Sequence, residues 1–119
     1  MLLGRYGEAA AAEYLRRKGC RILGMNYRTR LGELDVIAAD RKYVIFAEVK
    51  LRKDARFAEA REFVTYSKRK KLAAAAQEWL QNNPQTLQPR FDVIEVYAPG
   101  GLATEKPVIR HWENAFTLD

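Results

Sequence analysis

The chain contains one cysteine, Cys20, and one histidine, His111, in 119 residues, and each scarcity excludes some chemistry. A single cysteine cannot close an internal disulfide or supply a multi-cysteine zinc site. Cys20 stands where a helical pattern gives way to a strand pattern, which suits a small buried apolar residue. His111 has no acid or serine at a spacing that suggests a nucleophilic triad, so it reads as a surface or satisfied core side chain. No apolar run approaches the ~20 residues needed to span a bilayer. The start, Met1-Leu2-Leu3-Gly4-Arg5, lacks a signal-peptide cleavage pattern. These absences point to a cytoplasmic protein with no membrane partner. Internal repeats, glycine-rich phosphate loops and low-complexity tracts are missing as well.

What is present is enough apolar residue, 48%, for one core, so residues 1–119 are expected to form a single domain. Net charge is +6, and its placement says more than its size. Between Lys50 and Lys71 stand nine bases (Lys50, Arg52, Lys53, Arg56, Arg61, Lys68, Arg69, Lys70 and Lys71) against three acids (Asp54, Glu59 and Glu62), which accounts for the whole excess. Such a segment suits a polyanion, and nucleic acid is the commonest one in the cytosol. A solvated basic loop and helix would look the same if the segment stood alone.

The segment begins where an apolar hairpin ends in charge. Gly32-Glu33-Leu34-Asp35-Val36-Ile37-Ala38 and Tyr43-Val44-Ile45-Phe46-Ala47-Glu48-Val49-Lys50-Leu51-Arg52 are rich in β-branched and aromatic residues and flank a polar turn. Alternation puts Tyr43, Ile45, Ala47, Val49 and Leu51 on one apolar face, and Val44, Phe46, Glu48, Lys50 and Arg52 on the other. Register decides whether the acids meet. A two-residue turn at Arg41-Lys42 would set Asp35 opposite Glu48, and a four-residue turn would set Glu33 there instead. A three-residue turn would send Asp35 to the other face. Like charges opposed on a strand pair are destabilising, so such an arrangement needs a reason, and a divalent cation supplies one. Carboxylates of Asp35, Glu48 and Glu33, the backbone carbonyl of Val49 and water form a hard oxygen set suited to Mg²⁺ or Mn²⁺.

Elsewhere, residues 3–18 read as a helix rich in Ala and Leu, stopped by Gly19. Glu8 falls with Gly4, Ala11, Ala12 and Leu15 on its sheet-facing side. An acid there must be paired or bind a cation; a bridge to Arg5 and a metal role both meet that need. Arg21–Arg28 reads as a first strand, and Arg28 and Arg30 either contact phosphate or neutralise the acids. Residues 53–64 are densely charged, have few apolar anchors and are predicted to form a mobile loop. A second helix is predicted from Tyr66 to Asn83, capped by Ser67, with Leu72, Ala76, Trp79 and Leu80 as its apolar stripe. Its first turns carry Lys68, Arg69, Lys70 and Lys71, which oppose the helix dipole and would be relieved by an external anion. Gln85–Pro89 reads as a linker, Arg90–Ala98 as a strand, and Pro107–Trp112 as a short edge strand. Asp92 is expected either to support the acidic site or, more simply, to pair with Arg90. The order helix, three strands, helix, strand gives an α/β domain with a mixed sheet flanked by helices.

The order of Glu8, Asp35 and Glu48-Val49-Lys50 resembles the PD-(D/E)xK nuclease superfamily, which includes restriction endonucleases and archaeal Holliday-junction resolvases. Gly4-Arg5-Tyr6-Gly7-Glu8, Gly32-Glu33-Leu34-Asp35, Glu48-Val49-Lys50-Leu51-Arg52 and Arg90-Phe91-Asp92-Val93 more closely resemble the bacterial YraN family, along nearly the whole chain. The E-x-K tripeptide alone is weak. Its place at the end of an apolar strand, 13 residues after an Asp on a paired strand and with an upstream helical Glu, is more specific. Leu34 stands where the superfamily pattern usually has proline.

The resemblance implies a restriction-endonuclease-like fold and a metal-dependent nuclease. Asp35 and Glu48 would be metal ligands, with Glu8 an additional acid. Lys50 would position or deprotonate the attacking water. Glu33 remains an additional acid that could bind a second metal or pair with Arg28. DNA is the expected partner, single-stranded or branched forms included, with Arg52, Lys53, Lys68, Arg69 and Lys71 on its backbone. Resolvase-like relatives extend the expectation to a homodimer. The rival is a non-catalytic nucleic-acid-binding protein of the same fold.

Overall fold

A computed structural model describes residues 2–53 and 65–117. The Ala-rich N-terminal segment is helix α1, Leu2–Arg17, with Arg16 and Arg17 in its last turn where the dipole favours cations. Gly19 ends it at φ 95°, a left-handed conformation that only glycine adopts without strain. Three strands follow: β1 (Arg21–Arg28), β2 (Glu33–Ala39) and β3 (Tyr43–Arg52). Helix α2 (Tyr66–Asn82) then leads to β4 (Gln88–Tyr97), a 3-10 turn at Gly101–Ala103, and β5 (Val108–Trp112). The five-stranded sheet runs β1-β2-β3-β4-β5, antiparallel throughout except for the parallel pair of β3 and β4. A parallel pair needs a long crossover, and the segment containing α2 provides it. The chain therefore forms one α/β domain with a mixed sheet and two helices.

Each face of the sheet is covered by one helix. Ala11 and Leu15 of α1 pack on Val36, Ala38, Ile45, Ala47, Ile94 and Val96. On the opposite face, Leu72, Ala75, Ala76 and Trp79 of α2 pack on Ile37, Val44, Phe46 and Val93. Phe46 meets Trp79 edge-on at 5.8 Å between centroids, and Phe91 stacks on Phe116 at 5.2 Å. Each large apolar side chain so buried is worth roughly 1.5–3 kcal/mol, and this packing fixes where α2 lies.

The hairpin register follows the two-residue turn. Val36 pairs with Ala47, Ile37 with Phe46, Ala38 with Ile45 and Ala39 with Val44. The Asp40 carboxylate accepts from the amides of Lys42 and Tyr43 at 2.8 and 2.7 Å, a side-chain turn that closes the loop at Arg41-Lys42.

Two sequence expectations shift. Thr65 rather than Ser67 caps α2, its hydroxyl accepting from the Lys68 amide at 3.2 Å. Part of the predicted linker belongs to β4, because Gln88 and Pro89 already pair with Tyr43 and Val44. Pro89 is tolerated there because β5 joins β4 only from Val93 onward. The expected mobile loop at 53–64 lies, from residue 54 on, outside the described residues. No helix among the described residues is long and apolar enough to cross a membrane.

Candidate active site

The pairing of β2 with β3 ends at Val36 and Ala47, and one step further along the same register Asp35 faces Glu48. Alternation places Asp35 and Ile37 on the α2 face of β2, and Phe46, Glu48, Lys50 and Arg52 on the α2 face of β3. Beyond the ladder, the Val49 amide donates to Asp35 Oδ2 at 2.9 Å. The carboxylate is thus tied to β3 by the strand it opposes. Glu48 is buried, with 8% of its surface exposed.

The two acids, with Gly32, Glu33, Lys68, Lys71 and Leu72, line a cavity of about 270 Å³ between the hairpin end and the start of α2. Gly32 permits this closeness. A Cβ at Gly32 would lie 2.5 Å from the Lys71 carbonyl oxygen, so any larger residue would push α2 away. The turn before it is held by Thr29, whose hydroxyl accepts from the amides of Leu31 and Gly32 at 2.9 and 3.1 Å.

Two ammonium groups attend Glu48. Lys68 Nζ lies 2.6 Å from Oε1 and Lys50 Nζ lies 3.7 Å from the same oxygen. Burial, and then the charge of Glu48, push the Asp35 carboxyl up to about 7, with smaller contributions from Glu8 and Glu33. The Val49 amide works against that shift, because it favours the anion. Lys50 is held below the ordinary lysine range, first by burial and then by Lys68 beside it. Burial also acts to lower Lys68, but the Glu48 carboxylate outweighs it and Lys68 is raised. The cluster is a partly buried pair of opposed acids with two ammonium groups beside Glu48.

The other expected site residues are placed as follows. Glu8 is partly buried on α1 and lines a different cavity, of about 460 Å³, with Gly4, Arg5, Asn26, Arg28 and Glu33. Glu33 borders both cavities and pairs with Arg28 at 3.4 Å. Among the described residues, no three His, Cys, Asp or Glu side chains form a ready metal cluster. Of the basic residues, Lys53 is exposed, Lys71 lines the site cavity, and Arg69 lies 5.9 Å from the ring of the exposed Tyr66. Arg52 turns inward, its Nε 3.7 Å from Glu95 Oε2.

Glu95 is the residue that sequence reasoning passed over. It is fully buried on the α2 face of β4, beside Lys50 in the parallel register. The Tyr97 hydroxyl and the Trp112 indole N–H each donate to it at 2.7 Å. The signal was available: an acid in the inward phase of Phe91, Val93, Glu95 and Tyr97 requires partners. Asp92, on the opposite phase, is also fully buried. It accepts two bonds from Arg90, at 2.9 and 2.8 Å, one from the Asn114 amide at 3.0 Å, and a 2.7 Å contact with His111 Nε2. His111 is therefore a satisfied core residue, its Nδ1 lying 3.0 Å from the Tyr14 hydroxyl.

Comparison with known proteins now gives the family. The profile of "Uncharacterised protein family UPF0102" matches residues 7–96. The chain belongs to the UPF0102 family. This is the YraN-type group whose motifs the sequence carries. A UPF0102 protein of Syntrophotalea carbinolica is 42% identical over 118 residues, covering 98% of this chain and 93% of the relative. One from Alkaliphilus oremlandii is 43% identical over 117 residues, covering 96% and 97%. One from Vibrio parahaemolyticus is 42% identical over 100 residues, covering 82% and 83%. The family match extends from the residue before Glu8 to Val96, one residue short of the end of β4, and so includes every acid of the cluster.

Proposed function

We propose that this UPF0102 protein is a metal-dependent endonuclease that hydrolyses DNA phosphodiester bonds, built on a restriction-endonuclease-like fold. The observation that carries the reading is the opposition of Asp35 and Glu48 on one sheet face with Lys50 beside them. A fold gains no stability from setting two acids against each other, and burial together with the facing Glu48 pushes the Asp35 carboxyl up to about 7, so a bound cation would stabilise its ionised form. The donor chemistry fits a hard divalent ion. Asp35, Glu48 and the Val49 carbonyl would hold Mg²⁺ or Mn²⁺, with water completing the shell. Glu33 and Glu8 stand further out. Such an ion, when bound, polarises a phosphoryl oxygen and lowers the pKa of water.

The protein's own groups have separable roles. Lys50 is held below the usual lysine range, which makes its neutral amine easier to reach. That amine would take a proton from the attacking water and, as the ammonium so formed, face the charge growing on the phosphate. Asp35 is anchored by the Val49 amide, so its orientation does not depend on the ligand. Lys53, Lys68, Arg69 and Lys71 supply the cations that hold the nucleic-acid backbone, and binding through them weakens steeply with salt.

The second reading is a nucleic-acid-binding protein of the same fold without catalysis. It is favoured by the lodging of Glu8 in a separate cavity and by the cation already placed on Glu48. Calorimetric titration of Mn²⁺ and Mg²⁺ into the wild type and Asp35→Ala, followed by cleavage assays on single-stranded, duplex and branched DNA, separates the two. The nuclease reading expects metal heat that Asp35→Ala loses, and cutting that Lys50→Ala abolishes while retaining metal. Identical heats for wild type and Asp35→Ala remove the metal site. Salt-sensitive binding with no cleavage under either metal establishes the second reading.

A further inference from the structure

We infer that Lys68 is the resident counter-ion of the Asp35–Glu48 pair in the metal-free protein, and that a divalent cation enters only by displacing it. The inference rests on the metal reading of the site above, and it assigns to Lys68 a role distinct from gripping nucleic acid.

Geometry singles out Lys68 from the cations around the cluster. Its Nζ is 2.6 Å from Glu48 Oε1, against 3.7 Å for Lys50, and it lines the same cavity as both acids. It reaches the cavity from another element. Thr65 caps α2 just before it, and the Gly32–Lys71 contact presses that first turn onto the hairpin end. Lys50 lies two residues from Glu48 on the same strand, and only 20% of its side chain is exposed. Lys68 has 41% of its side chain exposed while Glu48 has 9%, so the lysine can swing into solvent and the acid cannot follow. The ammonium therefore behaves as a removable plug on a fixed pair of carboxylates.

The physical consequence is competition. An ammonium on Glu48 Oε1 occupies a lone pair that a divalent ion would use, and two cations at such spacing repel. Metal binding must break the Lys68–Glu48 contact, so the measured affinity is the intrinsic affinity reduced by the strength of that contact. A half-exposed pair is weak in isolation, but repulsion between the ammonium and a doubly charged ion adds to it. Removing the ammonium should therefore tighten metal binding on the order of tenfold.

The test is Mn²⁺ titration by calorimetry into wild type, Lys68→Met, Lys68→Gln and Lys71→Met, with thermal melts of each in chelator and in Mn²⁺. Lys68→Met and Lys68→Gln are expected to bind Mn²⁺ about tenfold tighter than wild type. In chelator both should melt lower, and Mn²⁺ should raise their melting temperatures more than it raises the wild type's. Lys71→Met, which removes a cavity-lining cation further along the helix, should change affinity by less than about threefold. Unchanged or weaker Mn²⁺ binding in both Lys68 variants overturns the inference while leaving the metal site in place. An equal gain in Lys71→Met also overturns it, because the effect would then come from general charge. Absence of Mn²⁺ heat in all four proteins removes the metal site itself and the plug with it.

Discussion

Asp35 and Asp92 are acids on neighbouring parts of one sheet, yet their surroundings drive them in opposite directions. Asp92 is fully buried, and burial alone would raise its pKa. The contacts from His111 and Arg90 and the Asn114 amide outweigh burial and hold the carboxyl below the usual range. Asp35 is only partly buried, accepts a hydrogen bond from the Val49 amide, faces another acid and is pushed up to about 7. A carboxylate kept for structure is surrounded until its lone pairs are used. One kept for binding is left short of partners so that something from outside can complete it. The difference leaves the β2–β3 hairpin end, rather than β4, with a carboxyl its own neighbours do not favour as an anion, although both regions contain buried charge.

The largest expected effect tests the structural side of that contrast. Asp92→Ala leaves Arg90, whose side chain is 10% exposed, and the buried His111 without their carboxylate. Breaking a buried pair by removing one partner typically costs about 3–5 kcal/mol, and urea denaturation at pH 7 should show a loss of that size. A loss below about 1 kcal/mol would mean that the network is ornamental and that Asp92 and Asp35 differ less than their surroundings suggest.

Next in size, and opposite in sign, is Asp35→Asn. Below pH ~4 Asp35 is protonated in both folded and unfolded chains. As pH rises the unfolded chain ionises first, while the folded protein holds its proton until about 7. The folded state binds more protons across that window, so this group makes stability fall as pH rises through it. The asparagine variant, which can still accept from the Val49 amide, escapes the penalty. At pH 8 in chelator it should be more stable than the wild type by about 1–3 kcal/mol, with the gain vanishing near pH 4. Added Mn²⁺ should reverse the order, because only the carboxylate gains from the ion. Asp92 slopes the other way. Its lowered pKa gives stability that is present above ~4 and lost as pH falls through the folded value. A pH-independent difference between wild type and Asp35→Asn would break the comparison.

Much of this was legible in the sequence because period and turn chemistry are local. The apolar alternation of Tyr43–Arg52 marked β3, but the sequence left two-, three- and four-residue turns open, and only the register with its Asp40 side-chain turn selects the two-residue loop that sets Asp35 against Glu48. Glu48 and Lys50 on one face of β3 followed from alternation alone, whereas the face of Asp35 depended on the register. Long-range partners could not be read in this way. Nothing in the order of residues says that Lys68, twenty positions from Glu48, sits 2.6 Å from it, because that depends on how α2 packs across the sheet. The same holds for Glu95, whose partners Arg52 and Trp112 come from strands on either side of β4. Arg52 was expected on nucleic acid for the same reason: a basic residue at a strand end looks exposed until the neighbouring strand supplies an acid. The cap moved from Ser67 to Thr65 because either hydroxyl could serve, and tertiary packing chose the start of the helix.

The smallest effect sharpens the boundary of the unsatisfied region, which Glu33 straddles. Its pair with Arg28 is open to solvent, with side-chain exposures of 44% and 75%, and such pairs contribute a few tenths of a kcal/mol at most. Glu33→Gln should therefore melt within about 1–2 °C of the wild type. If Glu33 belongs with Arg28, Mn²⁺ affinity should change by less than about threefold, through loss of a nearby negative charge alone. A loss of tenfold or more in calorimetry would move Glu33 inside the binding set, in keeping with its place on the wall of the Asp35–Glu48 cavity. Arg28→Ala distinguishes the routes by which such a loss could arise. Freeing Glu33 from its cation should strengthen metal binding if Glu33 is a ligand, and leave it nearly unchanged if the residue serves only the surface pair.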